Sequence, residues 1–380
     1  MSSETSDLAI VMSGGGARGA YQVGFLRALA SAHPDLKVDI LTGVSAGAIN
    51  AVFLASRPGR FVERVEALEE LWRGLSVEDV FRVELSSLGM RVIRWGLRLL
   101  SGGRLAHRRV HGMVDTQPLR EFLTRTLEAR GGSVRAIADN VEQGLLKAAA
   151  ITATSYTTGQ SITFVQGRGI DDWERPTRRS RRCALGIEHV MASAALPFLF
   201  PAVRIGDEWF GDGGIRLTAP LSPAVHLGAK RILALSTRHP RTAAEADVHV
   251  TDGYPPPALV AGTLLNALFL DLFDADALRL QRINDLIDDL PAESRHGMRP
   301  VDLRVWRPSR DLGKLANEFE ARLPRAFRFL VRGTGTRETR SNDFLSLVMF
   351  QPDYLSRLID IGHADAEANR AEIDDFLGAP

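Results

Sequence analysis

The sequence predicts an α/β protein, a three-layer α/β/α sandwich with a mostly parallel central sheet followed by a mostly helical C-terminal extension. Two observations lead to this prediction. Short β-branched runs alternate with amphipathic helical stretches up to about residue 240, which is typical of a parallel sheet covered by helices on both faces. Beyond it the periodicity becomes mostly helical, after the Pro-rich stretch Tyr254–Pro257. We therefore expect one domain over residues 8–240 and an extension over 241–380 that is packed on it or linked to it.

The elements of the first domain are assigned from their periodicity. Leu8–Met12 is a β-branched run that ends in a glycine-rich loop, and Ala20–Ala32 is a helix with apolar residues on one face. A second strand is predicted at Lys37–Leu41, followed by a helix of small apolar residues at Ala46–Ala55. The same patterns predict helices at 60–75, 119–129 and 187–195, and strands at 145–154, 161–166, 202–205, 208–210 and 231–236.

Composition and charge exclude several classes of protein. Of the 380 residues, 45% are hydrophobic and 24% are charged, which is ordinary for a globular protein. The net charge of 47 − 46 = +1 provides no global field for binding nucleic acid. The single cysteine, Cys183, excludes an internal disulfide and a cysteine-based zinc site. The N-terminus lacks the basic region of a signal peptide, so we expect a cytoplasmic protein in which the apolar run Ala258–Leu270 is a buried helix.

The first glycine-rich loop allows more than one interpretation. Gly14, Gly16 and Gly19 have the spacing of a dinucleotide-binding fingerprint, and Asp39 lies 20 residues beyond Gly19. The same backbone, at a helix N-terminus, can instead direct N–H groups at an oxyanion that exists only during a reaction. A tight turn without any ligand is the third interpretation, and the loop alone does not decide among them.

A second glycine motif supplies a candidate nucleophile. The segment Gly43-Val44-Ser45-Ala46-Gly47 has the G-x-S-x-G pattern of a nucleophile elbow and lies between a predicted strand and a predicted helix, as that motif requires. A side chain at either glycine would clash in so sharp a turn. The dipole of the following helix favours negative charge that develops at Ser45.

A third motif, Gly211-Asp212-Gly213-Gly214, places a carboxylate on a glycine-rich turn after a short strand. By itself the motif is best interpreted as an Asx-turn, which is a common use of Asp-Gly. In a chain that also carries a serine elbow, Asp212 becomes a candidate general base for the serine hydroxyl.

The three motifs together resemble the signatures of the patatin-like phospholipase family. They are G-G-G-A-R-G at 14–19, G-V-S-A-G at 43–47 and D-G-G at 212–214, in this order. The stretches 192–201 and 219–223 also resemble the family's sequence before and after its acidic motif. The resemblance covers residues 8–240, whereas 354–362 is similar to bacterial members more loosely.

This resemblance implies a serine acyl hydrolase with a Ser–Asp dyad, in which Ser45 is the nucleophile and Asp212 its base. The glycines that it implies in support are Gly43 and Gly47 in the elbow and Gly213 and Gly214 in the acidic motif. The residues that it implies for the oxyanion-hole loop are Gly14, Gly15, Gly16, Ala17, Arg18 and Gly19. Arg18 would orient this loop or attract anionic head groups. Gly214 and Ala194 depart from the commoner alanine and serine of the family, with little expected consequence.

The expected partner is a lipid or phospholipid acyl ester, and no nucleic acid or cofactor is expected. No metal is expected because the nine histidines form no H-E-x-x-H pair. A basic stretch at 88–100 is either a peripheral membrane contact or a cap helix packed on the core, and the arginine cluster 175–182 allows similar alternatives. The oligomeric state and the natural lipid stay open. So do two other functions: a dinucleotide-binding protein that uses the loop 14–19, and a non-catalytic lipid-binding protein.

Overall fold

The computed structural model describes residues 7–82, 112–251, 253–269, 271–333, 335–336, 339 and 341–378. The strands within them are β1 Leu8–Met12, β2 Ile40–Val44, β3 Ala148–Ser155, β4 Ser161–Gly167, β5 Glu174–Arg175, β6 Arg178–Arg182, β7 Val203–Ile205, β8 Glu208–Asp212, β9 Arg231–Leu235 and β10 Asp302–Trp306. The helices before residue 240 are α1 Gly19–Ala32, α2 Ala46–Ser56, α3 Phe61–Arg73, α4 Val77–Val80, α5 Gln117–Thr126, α6 Arg135–Glu142, α7 Ile187–Ser193 and α8 Ser222–His226. Those after it are α9 Ala243–Ala246, α10 Pro257–Phe269, α11 Asp271–Asp288, α12 Leu312–Phe319, α13 Arg325–Gly333, α14 Asp343–Val348, α15 Pro352–Ala368 and α16 Arg370–Leu377. The predicted membrane or cap helix over 88–100 lies outside the described residues.

One mixed sheet forms the centre of the protein, in the strand order β10-β9-β1-β2-β3-β4-β6-β5. The five strands from β10 to β3 run parallel to their neighbours. β4 pairs antiparallel with β3, and the hairpin of β7 and β8 joins the sheet because β8 also pairs antiparallel with β3. The predicted α/β fold with a mostly parallel sheet and C-terminal helices is confirmed.

Helices cover both faces of this sheet. Leu8, Ile10 and Met12 of β1 belong to a large core that also contains apolar residues of α1, α2, α3 and α15. The alternate residues Ala9 and Val11 belong to a second core, with apolar residues of α8 and α11. β1 is therefore buried on both faces, which explains why its sequence is a continuous apolar run rather than an alternating one.

The C-terminal segment is built into the same structure. β10 extends the sheet beside β9, with Asp302 paired to Arg231 and Trp306 to Leu235. α15 packs along α1, and its Tyr354 is fully buried. The helical periodicity after residue 240 did not predict β10, because a short edge strand leaves little periodic signal.

Two local expectations differ from the structure. β2 begins at Ile40, so Asp39 precedes the strand. The expected buried helix at 258–270 is wrong: α10 buries only Ala258, Gly262 and Phe269, since its apolar residues surround the helix and one face alone meets the core. By length and composition alone, the stretch Pro257–Asp288 could cross a membrane, and 24% of its most apolar window is buried. Core helices of soluble proteins also meet these criteria of length and composition.

Candidate active site

The register of the sheet brings the serine and aspartate motifs together. Val44, the last residue of β2, pairs with Thr152 of β3. Asp212, the last residue of β8, pairs with Ala153, and β4 occupies the opposite edge of β3 at this point. The ends of β2 and β8 therefore meet on the same edge of β3. This junction sets Ser45, which follows Val44, beside Asp212.

Ser45 has the geometry of a nucleophile elbow. Its backbone angles, φ 55° and ψ −125°, are ones that a side-chain-bearing residue seldom adopts. The turn is compact, because a Cβ at Gly43 would lie 2.1 Å from the Gly47 carbonyl oxygen and one at Gly47 would lie 2.2 Å from that of Met12. The hydroxyl makes no capping hydrogen bond to α2, which begins at Ala46. It is therefore available for chemistry at the positive end of that helix.

The elbow is held by a serine whose role was not predicted. The backbone N–H of Ser45 donates to Ser193 Oγ at 3.1 Å, and Ser193 Oγ donates to the Thr152 carbonyl at 2.7 Å. Ser193 is fully buried at the end of α7. The strained turn is thus tied to β3, the strand with which Asp212 of β8 also pairs. The sequence contained a signal for Ser193, because it lies in the stretch 192–201 that resembles the family's sequence before its acidic motif.

The first glycine loop lies directly against Ser45. A Cβ built on Gly14 would be 3.1 Å from Ser45 Cβ, and Gly15 and Gly16 line the same cavity as Ser45. The carbonyl groups of the loop are engaged: that of Gly14 accepts from Thr237 Oγ1 at 2.7 Å, and that of Gly15 accepts from the Arg18 N–H. Among the described residues, the N–H groups of Gly15 and Gly16 donate to no protein acceptor. Free N–H groups beside a serine are what an oxyanion hole requires.

A buried polar chain supports the start of this loop. Trp72 Nε1 donates to Asn50 Oδ1 at 2.7 Å, and Asn50 Nδ2 donates to Gln22 Oε1 at 3.0 Å. Gln22 Nε2 in turn donates to the Ser13 carbonyl at 2.9 Å. Polar residues on the apolar helices α1 and α2 were the sequence signal for this chain, but their partners come from different elements.

Arg18 closes the loop, with Ala17 fully buried beside it and α1 beginning at Gly19. The guanidinium forms an ion pair with Asp343, and its side chain is 3% exposed. A buried and paired guanidinium is not presented to a lipid head group. Of the two roles expected for Arg18, the structure is consistent only with orienting the loop.

Asp212 is fully buried at the head of a short turn that contains Gly213 and Gly214. Its Oδ1 accepts the Gly214 N–H at 2.9 Å, and its Oδ2 is buried without a well-formed hydrogen bond to any described group. Burial raises the pKa of this carboxyl from 3.8 to about 7, although the Gly214 N–H and the neighbouring Ser45 hydroxyl lower it. The carboxyl thus has one oxygen free for the serine proton and a pKa near neutrality.

Ser45 opens into an apolar cavity with about 750 Å³ of empty space, its mouth included. The cavity lies between the elbow, α3, α5 and the C-terminal helices. Its apolar lining includes Ile49, Leu71, Leu119, Leu123, Phe200 and Phe269. Size and lining are those of a pocket for a largely apolar ligand.

The comparison with protein families identifies the chain. The model of the family described as patatin-like phospholipase matches residues 10–225, which is more than half of the sequence. The chain belongs to the patatin-like phospholipase family. Membership supports a lipid-hydrolase function, and none of the curated proteins compared with the sequence matches it.

Three solved structures are similar to this patatin-like protein at low identity. VipD from Legionella pneumophila is 13% identical, with 97% of this chain and 66% of VipD covered and a TM-score of 0.40. Human GIVD cytosolic phospholipase A2 in complex with methyl gamma-linolenyl fluorophosphonate is 12% identical, with 98% and 59% covered and a TM-score of 0.43. The ExoU–SpcU complex from Pseudomonas aeruginosa is 16% identical, with 97% and 76% covered and a TM-score of 0.28. The chain thus spans less than two thirds of the first two, and these weak likenesses carry no functional argument.

The dinucleotide interpretation of the loop is not compatible with this patatin-like structure. The interpretation requires Asp39 to lie near the loop that follows Met12. Asp39 instead lies level with Leu8, to whose carbonyl its N–H donates, and 3.6 Å from Lys37. Asp39 therefore lies where β1 and β2 begin, whereas the glycine loop follows the end of β1. The sequence spacing was right for the motif, but the late start of β2 separates the two groups.

In the part of the chain that the structure describes, the histidines lie away from the cavity at Ser45. Among the described residues that line the cavity, none is a histidine, and within the described part of the chain no three His, Cys, Asp or Glu side chains could share a metal ion. His226 stacks on Trp173, with 4.7 Å between the ring centroids, and His239 Nδ1 lies 3.0 Å from the Pro308 carbonyl. These two histidines have structural partners away from Ser45.

Proposed function

We propose that this patatin-like protein hydrolyses lipid acyl esters through an acyl-serine intermediate, with Ser45 as nucleophile and Asp212 as general base. The observation that carries the proposal is the pairing of a strained serine elbow with a fully buried carboxyl whose pKa is about 7. A base titrating near neutrality is ionised for a useful fraction of the time and still accepts a proton.

The reaction proceeds in two balanced steps. Ser45 Oγ attacks the ester carbonyl carbon while its proton passes to Asp212 Oδ2, and the tetrahedral oxyanion is stabilised by N–H groups of the Gly14–Gly16 loop. Collapse of this intermediate breaks the ester bond, and the leaving alcohol takes the proton from Asp212. Water then attacks the acyl-serine and gives one proton to Asp212. Collapse of this second intermediate breaks the bond between the acyl carbon and Ser45 Oγ, releases the fatty acid and returns the proton from Asp212 to Ser45 Oγ.

The apolar cavity supports an acyl chain as the part of the substrate that is recognised. Each methylene that enters such a pocket contributes roughly 0.8 kcal/mol. The lining has almost no polar surface, so it offers nothing to a sugar or a peptide group. We therefore expect kcat/KM to rise with acyl length over the first several carbons.

The decisive test compares Ser45→Ala and Asp212→Asn with wild type on nitrophenyl esters of increasing chain length, together with labelling by a fluorophosphonate. Ser56→Ala is the matched control, because Ser56 lies at the other end of α2 and its hydroxyl only donates to the Phe53 carbonyl. We expect hydrolysis and labelling to be lost in Ser45→Ala and retained in Ser56→Ala. A folded Ser45→Ala protein that hydrolyses at the wild-type rate would refute the proposal. Wild type that binds long-chain lipid without turnover would favour the non-catalytic lipid-binding function.

We further propose that the protein is cytoplasmic and contacts membranes peripherally through α10. Its single cysteine suits a reducing compartment. Val260 and Leu264 of α10 are 46% and 59% exposed, the helix carries no charged residue, and its last residue, Phe269, lines the cavity. Sedimentation with phospholipid vesicles should weaken in Leu264→Glu. Leu145→Glu is the control, since Leu145 is also exposed but lies before the start of β3, at the end of the strands away from Ser45. Equal vesicle binding by both variants would contradict this contact.

A further inference from the structure

We propose that Asp343 is a positioning residue for the oxyanion-hole loop, residues 14–19, and that it acts through Arg18. Ser346 supports the same orientation of Arg18 by a second hydrogen bond. Asp343 and Ser346 belong to α14, which lies outside the segment 10–225 that matches the family. This inference rests on the proposed function, because the loop has an oxyanion to bind only if Ser45 performs acyl transfer. It assigns to the C-terminal segment a part in the geometry of the catalytic site.

The side chain of Arg18 is held at both ends of its guanidinium. Nη2 donates to Asp343 Oδ1 at 2.6 Å and to the Asp343 carbonyl at 3.3 Å, while Nε donates to Ser346 Oγ at 2.5 Å. Ser346 Oγ in turn donates to the Asp343 carbonyl at 3.0 Å. Because the guanidinium is planar and rigid, contacts at Nε and Nη2 determine its orientation and not only its position.

Fixing Arg18 also fixes the turn that carries the free N–H groups. Arg18 is the last residue of the short 3₁₀ turn Gly16–Arg18, and its N–H donates to the Gly15 carbonyl at 3.0 Å. Gly15 and Gly16 have φ angles of 151° and 54°, so this backbone depends on its surroundings to stay in place. A displaced Arg18 would therefore carry the Gly15 and Gly16 N–H groups with it.

The same helix touches the loop a second time through its backbone. A Cβ built on Gly16 would lie only 2.1 Å from the Leu347 carbonyl oxygen. Leu347 and Val348 also line the apolar cavity. α14 is thus in contact with the loop at Gly16 by packing and at Arg18 by charge, and the two contacts together define the position of the loop.

Asp343 is itself rigidly placed. It begins α14, whose first turn is capped by the Asn342 side chain, which accepts from the Leu345 N–H at 3.0 Å. Two neighbouring helices approach it through glycines: a Cβ on Gly262 of α10 would lie 3.2 Å from Asp343 Cβ, and one on Gly313 of α12 would lie 2.9 Å from Asp343 Oδ1. The Asp343 side chain, which is 16% exposed, is thus approached by α10 and α12 as well as by Arg18.

Geometry rather than stability is the expected contribution of this pair. A buried ion pair often adds little net stability, because desolvation of the two charges offsets their attraction. Misplacement of catalytic groups by about 1 Å can lower turnover on the order of 100-fold. The pair should consequently affect the transition state, in which the oxyanion exists, more than the binding of the ester.

The experiment measures kcat and KM for a short nitrophenyl ester, and the rate of inactivation by a fluorophosphonate, in Asp343→Asn, Arg18→Lys, their double variant and Ser346→Ala. Asp360→Asn is the control. It removes a 3.4 Å ion pair between Asp360 of α15 and Arg73 of α3, which also joins the C-terminal segment to the first domain but does not touch the loop. Thermal unfolding is recorded for every variant.

We expect Asp343→Asn to lower kcat on the order of 10- to 100-fold with KM changed less than about threefold, and to slow inactivation in parallel. Arg18→Lys should behave alike, and the double variant should be little worse than either single one, because both remove the same contact. Ser346→Ala, which keeps the ion pair, should show a smaller fall in kcat. It tests the inference in place of Asp343→Asn if that variant does not fold. Asp360→Asn should keep the wild-type kcat.

Two results would overturn the inference. One is a folded Asp343→Asn protein that keeps the wild-type kcat. If Asp343→Asn does not fold, a Ser346→Ala protein with the wild-type kcat is the corresponding result. The other is a loss of activity that merely follows the unfolded fraction or equals that of Asp360→Asn. Ser45→Ala separates this failure from that of the proposed function, because an active Ser45→Ala protein removes the acyl-serine chemistry whatever the Asp343 variants do.

Discussion

The Asp212→Asn variant is expected to be inactive and yet more stable than wild type at alkaline pH. Asp212 is fully buried, and burial raises the pKa of its carboxyl from 3.8 to about 7. Asparagine has the same shape and keeps an oxygen that can accept the Gly214 N–H, but it carries no charge to desolvate. The substitution should thus remove a cost that the folded wild type bears whenever Asp212 is ionised.

The size and pH range of this effect follow from the two pKa values. An acid whose pKa is higher in the folded state binds its proton more tightly there, so the free energy of unfolding of wild type falls as the pH rises from about 4 to about 7. At 1.36 kcal/mol per pKa unit, the full cost above pH 7 is about 4 kcal/mol. Between pH 5 and pH 8, the advantage of Asp212→Asn over wild type should grow by about 3 kcal/mol.

Urea unfolding of wild type and Asp212→Asn at pH 5 and pH 8 measures this difference directly. Taking the difference between the two proteins at each pH cancels every other titrating group. Asp360→Asn, which changes a half-exposed carboxyl, should show no comparable growth. If the advantage of Asp212→Asn at pH 8 equals that at pH 5 within about 0.5 kcal/mol, Asp212 is not a buried carboxyl with a raised pKa, and the electrostatic reasoning about the base is wrong.

Three further predictions concern the loop, the cavity and the histidines. Gly16→Ala should lower kcat on the order of 100- to 1000-fold in a steady-state ester assay, because its Cβ would meet the Leu347 carbonyl and displace the loop; an unchanged kcat would mean that the loop takes no part. Leu119→Trp should reduce kcat/KM for long-chain esters about tenfold more than for acetyl esters, since the larger side chain would fill the apolar cavity. Equal effects on both esters would argue against acyl binding there. Hydrolysis should rise with pH through about 7 in wild type and equally in His226→Gln and His239→Gln, and a folded histidine variant as inactive as Ser45→Ala would indicate a triad.

The histidine variants are needed because burial of Asp212 changes the pH range in which activity is expected to fall. From the sequence, a carboxylate base predicts activity that falls well below the imidazole range, since an ordinary aspartate titrates near 3.9 and a histidine near 6.5. Burial of Asp212 raises its pKa to about 7. The two kinds of base therefore titrate in the same range here, and only substitution separates them.

Those features of the protein that depend on neighbours along the chain were predictable from the sequence. The glycines at 43 and 47 reveal the elbow because a sharp turn excludes side chains locally, and alternating strands and helices reveal the α/β fold because periodicity is local too. The match of three motifs in order then pointed to the family. In contrast, the expected buried helix at 258–270 was wrong, because burial depends on which faces other elements cover.

Only the tertiary structure decided what depends on contacts between distant segments. Asp212 reaches Ser45 because β8 takes over the edge of β3 where β2 ends, and its pKa is raised because the surrounding core excludes water. Arg18 was visible in the sequence as part of the loop, but its partner Asp343 lies 325 residues away. No local pattern encodes such a pairing, since it exists only once the C-terminal helices have packed against the sheet.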